Sequence, residues 1–527
     1  MRELSYPGRS NVLGQNGMAA TSNPLSSLEA INILKKGGNA IDAAIAASAV
    51  QSVVCPSATG IGGDCFAIIC LNGKDPISVN GSGIAPKKAN INFFFDKKIN
   101  KIELTSPHSV TIPGSVHAWC SMHEKYGKLD FEELLRGAEN YARNGFAVHE
   151  VEAYYWRQNI SKLKKNGNSQ KLFLRNNSSY KFGDVFKNIP LADTLKAIGK
   201  EKIKGFYNSD ITKDMLKTLN ELGGLHSEED FNSQKTIFSS TLSNNYKDFK
   251  IHQCPLNGPG IIVLLMMAIN EKLNTSQYHP SSFERYHLQA EITKICYELK
   301  ETKLGDPNFN NIKVEEILSG SLVDDLCSKI SKNNVYNSKK AYVTSNPETV
   351  YLSVVDRDFN SVSFINSICH SFGSGISSKS GVLFQNRGVN FRLEKNHPNV
   401  IEGSKRPLHT IIPGLAINKN NDRILSYGVM GGQYQPIGQT HVLQNIIDYN
   451  LSIQEAIDLP RTFALNGMLK IEKSLNIEIV KKLERIGHNT LVVPDAIGGG
   501  QCIQIDKKEG ILIGGSDPRK DGMAIGY

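Results

Sequence analysis

Apolar residues in the N-terminal part of the chain recur with the spacing of buried helices. Leu25, Leu28, Ile31 and Leu34 step every three residues behind Asn23-Pro24, a capping side chain followed by a proline suited to the first turn, which predicts a helix over residues 24–36. Gly37-Gly38 stops it, and the Ala-rich run from Ala40 to Val50 predicts a second helix, narrow enough for neighbouring backbone to come close. A glycine-rich turn, Gly60-Ile61-Gly62-Gly63-Asp64, then leads into a strand over residues 65–70. Helix, loop, strand is the reverse of a phosphate-binding loop, which follows a strand and opens a helix, so nucleotide binding is not expected here. Amphipathic helices are predicted over 129–144 and 283–304, the latter closed by Gly305-Asp306-Pro307. In the last third strands take over. Residues 350–355 and 361–365 read as a hairpin around the turn at 356–360, and 424–429 read as a strand ahead of Met430-Gly431-Gly432-Gln433. Residues 157–210 and 246–255 are mixed and polar, with no repeat or linker anywhere.

Composition narrows the class without naming a function. The 527 residues are 40% hydrophobic and 21% charged, which excludes wholesale disorder, and the length calls for more than one lobe or one large layered body. The 60 basic and 51 acidic residues give +9, but they are scattered, so no nucleic-acid footprint is expected. Nine cysteines without a CxxC pair indicate neither a disulfide framework nor a zinc site, and reduced thiols fit a cytoplasmic protein. The opening residues carry no apolar signal core, and the longest apolar run, Ile261 to Ile269, is too short to span a bilayer, so no membrane partner is expected.

The usual catalytic signatures are missing: there is no GxSxG, HExxH or GxxxxGK[ST]. Cys369 and His370 are adjacent, and on a strand neighbours point to opposite faces, which argues against a thiol and base pair. Taken alone, Thr349 is only a β-branched residue opening a strand.

An ordered set of short stretches changes that weighting. They are Gly17-Met18-Ala19-Ala20-Thr21-Ser22-Asn23-Pro24-Leu25, Lys35-Lys36-Gly37-Gly38-Asn39-Ala40-Ile41-Asp42-Ala43-Ala44, Gly60-Ile61-Gly62-Gly63, Leu304-Gly305-Asp306-Pro307, residues 349–356, Ser371-Phe372-Gly373-Ser374-Gly375, Lys405-Arg406-Pro407-Leu408, and Gly514-Gly515-Ser516-Asp517-Pro518-Arg519 before the closing Gly526-Tyr527. From Gly17 to Tyr527 the chain resembles the γ-glutamyltransferase family of N-terminal nucleophile hydrolases. The resemblance implies an α+β fold, a four-layer αββα sandwich, made as a precursor that cuts itself between Glu348 and Thr349. The segments 1–348 and 349–527 would then form a large and a small subunit that stay together as one interleaved body. It also implies Thr349 as nucleophile, with its freed α-amine as base, Gly431 and Gly432 as oxyanion donors, and Ser367 as the hydroxyl that bonds the nucleophile. No cofactor or metal is called for.

The expected substrate pocket departs from the family pattern. Ser82 stands where an arginine grips the α-carboxylate of γ-glutamyl substrates, Asn390 replaces the acid that holds the α-ammonium, and His409-Thr410 replace paired serines. Arg387 replaces a glutamine and adds a cation. These changes resemble the branch that includes oxamate amidohydrolase, and they imply a small anionic amide as substrate, with Arg387, Asn390, His409, Thr410 and Ser82 lining its site. Three alternatives stay open: a γ-glutamyl hydrolase or transpeptidase acting on glutathione-type substrates, an acylase acting on larger side chains, and an unprocessed homologue that only binds a metabolite. The sequence leaves the oligomeric state open.

Overall fold

The computed structural model describes residues 8–337 and 349–527. Two seven-stranded antiparallel sheets form its centre. In one, the strands run Met523–Gly526, Gly17–Thr21, Val350–Asp356, Ser361–Ser367, Asp64–Cys70, Ile77–Gly81 and Ile237–Ser240 across the sheet. In the other the order is Val12–Gly14, Ile511–Ser516, Gly499–Asp506, Arg423–Met430, Gly414–Asn418, Phe249–Gln253 and Leu242–Tyr246. Each sheet therefore contains strands from both sides of residue 349, and the hairpin 350–367 is flanked on both edges by strands from the N-terminal part.

The layering follows from the strands' composition. Alternate side chains of a strand point to opposite faces, so a strand with helices on one side and a sheet on the other must be apolar throughout. Asp64–Cys70 is such a strand: Cys65, Ala67 and Ile69 join the core beneath the first helices, while Phe66, Ile68 and Cys70 join the core between the sheets. Helices Pro24–Lys35, Ala40–Val54 and Phe131–Asn144 contribute to the outer core on that side, and Gly260–Lys272, Phe283–Lys303 and Gln435–Ile447 to the one on the far side. The result is the expected αββα stack.

Most predicted elements lie within a few residues of their expected ends. The first helix is capped by the Asn23 side chain, which accepts from Leu25 N–H. The second carries a full capping box between Asn39 and Asp42 and runs four residues past the alanine-rich stretch, to Val54. Polar residues extend it there because they find buried partners, as where Gln51 Nε2 donates to Ser22 Oγ at 3.0 Å. The run Ile261 to Ile269 lies in a helix that is apolar all round because it is buried all round. The polar stretches hold helices Gly167–Phe173 and Ile189–Glu201 and the strand Phe249–Gln253. All nine cysteines are free thiols. Among the described residues no helix is long and apolar enough to cross a membrane.

Burial of neutral histidines makes the fold acid-sensitive. Burial holds His226, His252 and His409 down at about 4 and His370 at about 3, against an ordinary value of about 6.5. Between those values the unfolded chain binds more protons than the folded one, so this stability is complete above pH 6.5 and is lost as pH falls toward 4. Thermal denaturation followed across that window is expected to show a falling melting temperature, with little change between pH 7 and 8.

Candidate active site

Sheet register assembles the site. Val350 pairs with Asn366 and Ser367 with Asp64, while Cys65 pairs with Gly81. Carried one residue further, the same registers put Thr349, Ser367, Asp64 and Ser82 in a single cross-strand row at one end of the sheet. All four are buried. Thr349 Oγ1 lies 3.1 Å from Ser367 Oγ. Glu348 lies outside the described residues.

Arg387 closes over this row from a short turn, Arg387–Asn390. Its Nη2 donates to Ser367 Oγ at 3.2 Å and its Nη1 to Thr410 Oγ1 at 2.8 Å, while Nε lies 3.9 Å from Asp64 Oδ2. Those bonds use one hydrogen on each terminal nitrogen. Asp64 joins the elements at this end of the sheet: it accepts from Gly83 N–H at 2.7 Å, Gln385 Nε2 at 2.9 Å and His409 Nε2 at 2.9 Å. The last bond fixes the proton of His409 on Nε2. Burial and the nearby Arg387 cation hold that ring at about 4 against the pull of Asp64, so it is neutral at pH 7. Arg387 and Asp64 thus bring a buried charge of each sign to this point.

The glycine pair sits on the other sheet. Strand Arg423–Met430 ends at Gly431, whose φ of +117° and Gly432's of +55° turn the chain sharply into the helix Gln435–Ile447. A Cβ on Gly431 would stand 2.7 Å from Gly498 Cα, so the turn admits only glycine without movement. The next residue, Gln433, is gripped from helix Phe283–Lys303: the Tyr297 hydroxyl donates to its carbonyl and the Lys300 ammonium to its Oε1. Burial lowers Lys300 to about 8. Met430 and Thr349 share the wall of a cavity of about 30 Å³, together with Glu152, Tyr155, Lys520 and Asp521. A second cavity of about 20 Å³ runs between Asn390, His409, Gln433 and Lys300. Each has room for a water or two.

The structure thus brings Thr349, Ser367, Arg387, His409 and Thr410 into one network. Asn390 borders it, and its amide donates to Leu408 O at 3.1 Å. Ser82 shares the row but spends its hydroxyl on Asn80 Oδ1 at 2.7 Å and Asn257 Oδ1 at 3.3 Å. One geometric expectation is corrected. The strand ends at Ser367, Cys369 takes φ of +79°, and its Sγ comes within 3.4 Å of His370 Nδ1. Burial raises the thiol and drops the imidazole to about 3, so the pair stays neutral and supplies no thiolate. Sequence reasoning gave no role to Asp64, Gln385, Tyr297 or Lys300. The signal for Asp64 was an acid opening an otherwise apolar strand; Tyr297 and Lys300 share a helix face, three residues apart.

Residues 26–527 match the family described as gamma-glutamyltranspeptidase. The chain is 32% identical to the glutathione hydrolase-like YwrD proenzyme of Bacillus subtilis, covering 98% of this chain and 99% of that one. It is 27% identical to the oxamate amidohydrolase proenzyme of Klebsiella pneumoniae, over 98% and 100% of the two chains. Among solved structures, a cephalosporin acylase from Bacillus halodurans superposes with a TM-score of 0.93 at 32% identity, over 100% and 99% of the two chains.

Proposed function

Because this chain belongs to the gamma-glutamyltranspeptidase family and is an enzyme of the N-terminal nucleophile hydrolase type, we propose that it is a self-processing amidase whose nucleophile is Thr349 and whose substrate is a small anionic amide such as oxamate. Self-cleavage before Thr349 divides it into segments 1–348 and 349–527, which stay associated because both sheets need strands from each. The observation that carries the reading is the chain of contacts from Thr349 Oγ1 to Ser367 Oγ to Arg387 Nη2, a buried cation two hydrogen bonds from the nucleophile.

The chemistry follows from what these groups can do. In the precursor the α-nitrogen of Thr349 is an amide and cannot act as a base. Cleavage frees an amine whose ordinary value, about 7.7–8.0, leaves a useful neutral fraction at physiological pH. That amine takes the Oγ1 proton as the oxygen attacks the substrate carbonyl, and gives it to the departing nitrogen. The acyl group is left as an ester on Thr349, and water, activated by the same amine, releases it. Gly431 and Gly432 present N–H groups to the oxyanion, while Ser367 orients the nucleophile and Arg387 holds the substrate's carboxylate.

Replacing Gly431 with Ala tests the oxyanion assignment. The added Cβ must push against Gly498, so kcat is expected to fall about 10²–10³-fold with KM little changed. The substrate class is tested by steady-state kinetics on oxamate beside γ-glutamyl-p-nitroanilide. Turnover of oxamate with the larger kcat/KM is expected. Turnover of the γ-glutamyl compound alone would favour the second reading, a glutathione-type hydrolase, which the name of the B. subtilis relative supports.

A further inference from the structure

Helix Phe283–Lys303 also carries, toward its start, His287 and Glu291 four residues apart, on one face. His488, in the turn after helix Ile477–Arg485, reaches the same point. All three are buried, with exposures of 0%, 0% and 5%. His287 Nδ1 lies 2.9 Å from His488 Nε2, which is 3.9 Å from Glu291 Oε1, and the three donor atoms all lie within 4.8 Å of one another. Tetrahedral zinc with bonds of about 2.0–2.1 Å separates its ligand atoms by roughly 3.3 Å, a value these spacings bracket.

We propose that His287, Glu291 and His488 form a three-ligand site for a divalent transition ion of the zinc type, with the Lys294 ammonium as its built-in competitor. Two histidines and a carboxylate are a donor set that zinc accepts, with a fourth position left over. The ring of His287 is already oriented for it. Its Nε2–H donates to Ser331 O at 2.8 Å, the kind of outer contact that fixes the tautomer of a ligating histidine and turns the Nδ1 lone pair inward. For His488 to ligate, its proton must move from Nε2, the atom that faces His287 Nδ1, to Nδ1.

A cavity of about 330 Å³ has His488, Lys294 and Tyr336 in its wall, giving an ion a route in and its fourth position room for water. Lys294 Nζ lies 2.6 Å from Glu291 Oε1, the oxygen the ion would use, with its side chain 11% exposed and able to swing into that cavity. The second carboxylate oxygen accepts from Tyr336 N–H at 2.6 Å and need not move.

The test is equilibrium dialysis of the metal-stripped full-length protein against zinc chloride, with bound metal read by mass spectrometry. One equivalent is expected in the wild-type protein. His488→Gln should weaken its binding at least about 10-fold, and Lys294→Met should tighten it by a similar factor. Zinc uptake that neither substitution changes, or none even in Lys294→Met, would overturn the proposal. Lys294→Met keeps the test decisive if His488→Gln folds poorly, because a merely structural polar cluster gains no zinc affinity when its lysine is removed.

Discussion

With Ala at position 349 the chain is expected to remain in one piece and to hydrolyse no amide substrate above background, a loss of about 10⁴-fold or more. Two consequences come from one oxygen. Without Oγ1 nothing attacks the preceding peptide bond, so no amine is released, and without Oγ1 no substrate carbonyl is attacked either. The fold should survive. Thr349 is buried at the end of a strand whose remaining residues keep their pairing, and loss of its bond to Ser367 leaves that hydroxyl with Arg387 Nη2 and Cys369 N–H. Thr349→Ser, which keeps the oxygen, should still cut itself and retain measurable turnover. Gel analysis of the three proteins beside an amidase assay checks both effects together, and a cleaved, active Thr349→Ala protein would remove Thr349 from both roles.

The second large effect is expected at Arg387. Arg387 is a buried cation hydrogen-bonded to Ser367 and Thr410, so Arg387→Ala should lower kcat/KM for an anionic amide about 10²-fold or more. Part of that cost falls on the fold, because Asp64 loses the cation 3.9 Å from its Oδ2 and is left as an unbalanced buried charge. Arg387→Lys separates the two contributions. It keeps the charge opposite Asp64 but not the planar fork that reaches Ser367, Thr410 and a carboxylate together, so stability should largely return while activity on the anionic amide does not. Activity unchanged in both variants would mean that the anion is held elsewhere.

Much of the fold was legible because its signals are local. Asn23-Pro24, the capping box at Asn39 and the hairpin around 356–360 each depend on a few neighbouring residues, and each element appears where it was expected. The candidate site was legible in a different way. Nothing near Thr349 marks it as a nucleophile, and only its place in an ordered set of short stretches singled it out. What remained hidden depends on register and on approach across the sequence. Asp64 faces Ser367 only because two strands nearly three hundred residues apart in sequence pair in that register, and Lys300 reaches Gln433 only once helix Phe283–Lys303 has docked. The Cys369–His370 contact was misjudged for a related reason: the strand stops at Ser367, and the positive φ of Cys369 breaks the alternation that would have kept the two side chains apart.

The central claim is that Thr349 becomes the N-terminal residue of a processed enzyme. Intact-mass analysis with N-terminal sequencing, after incubation of the purified wild-type protein at neutral pH, tests it most directly. Two fragments are expected, the smaller beginning Thr-Val-Tyr-Leu. A single full-length species that persists would deprive Thr349 of its amine and contradict the mechanism, leaving a chain that binds a metabolite without turning it over.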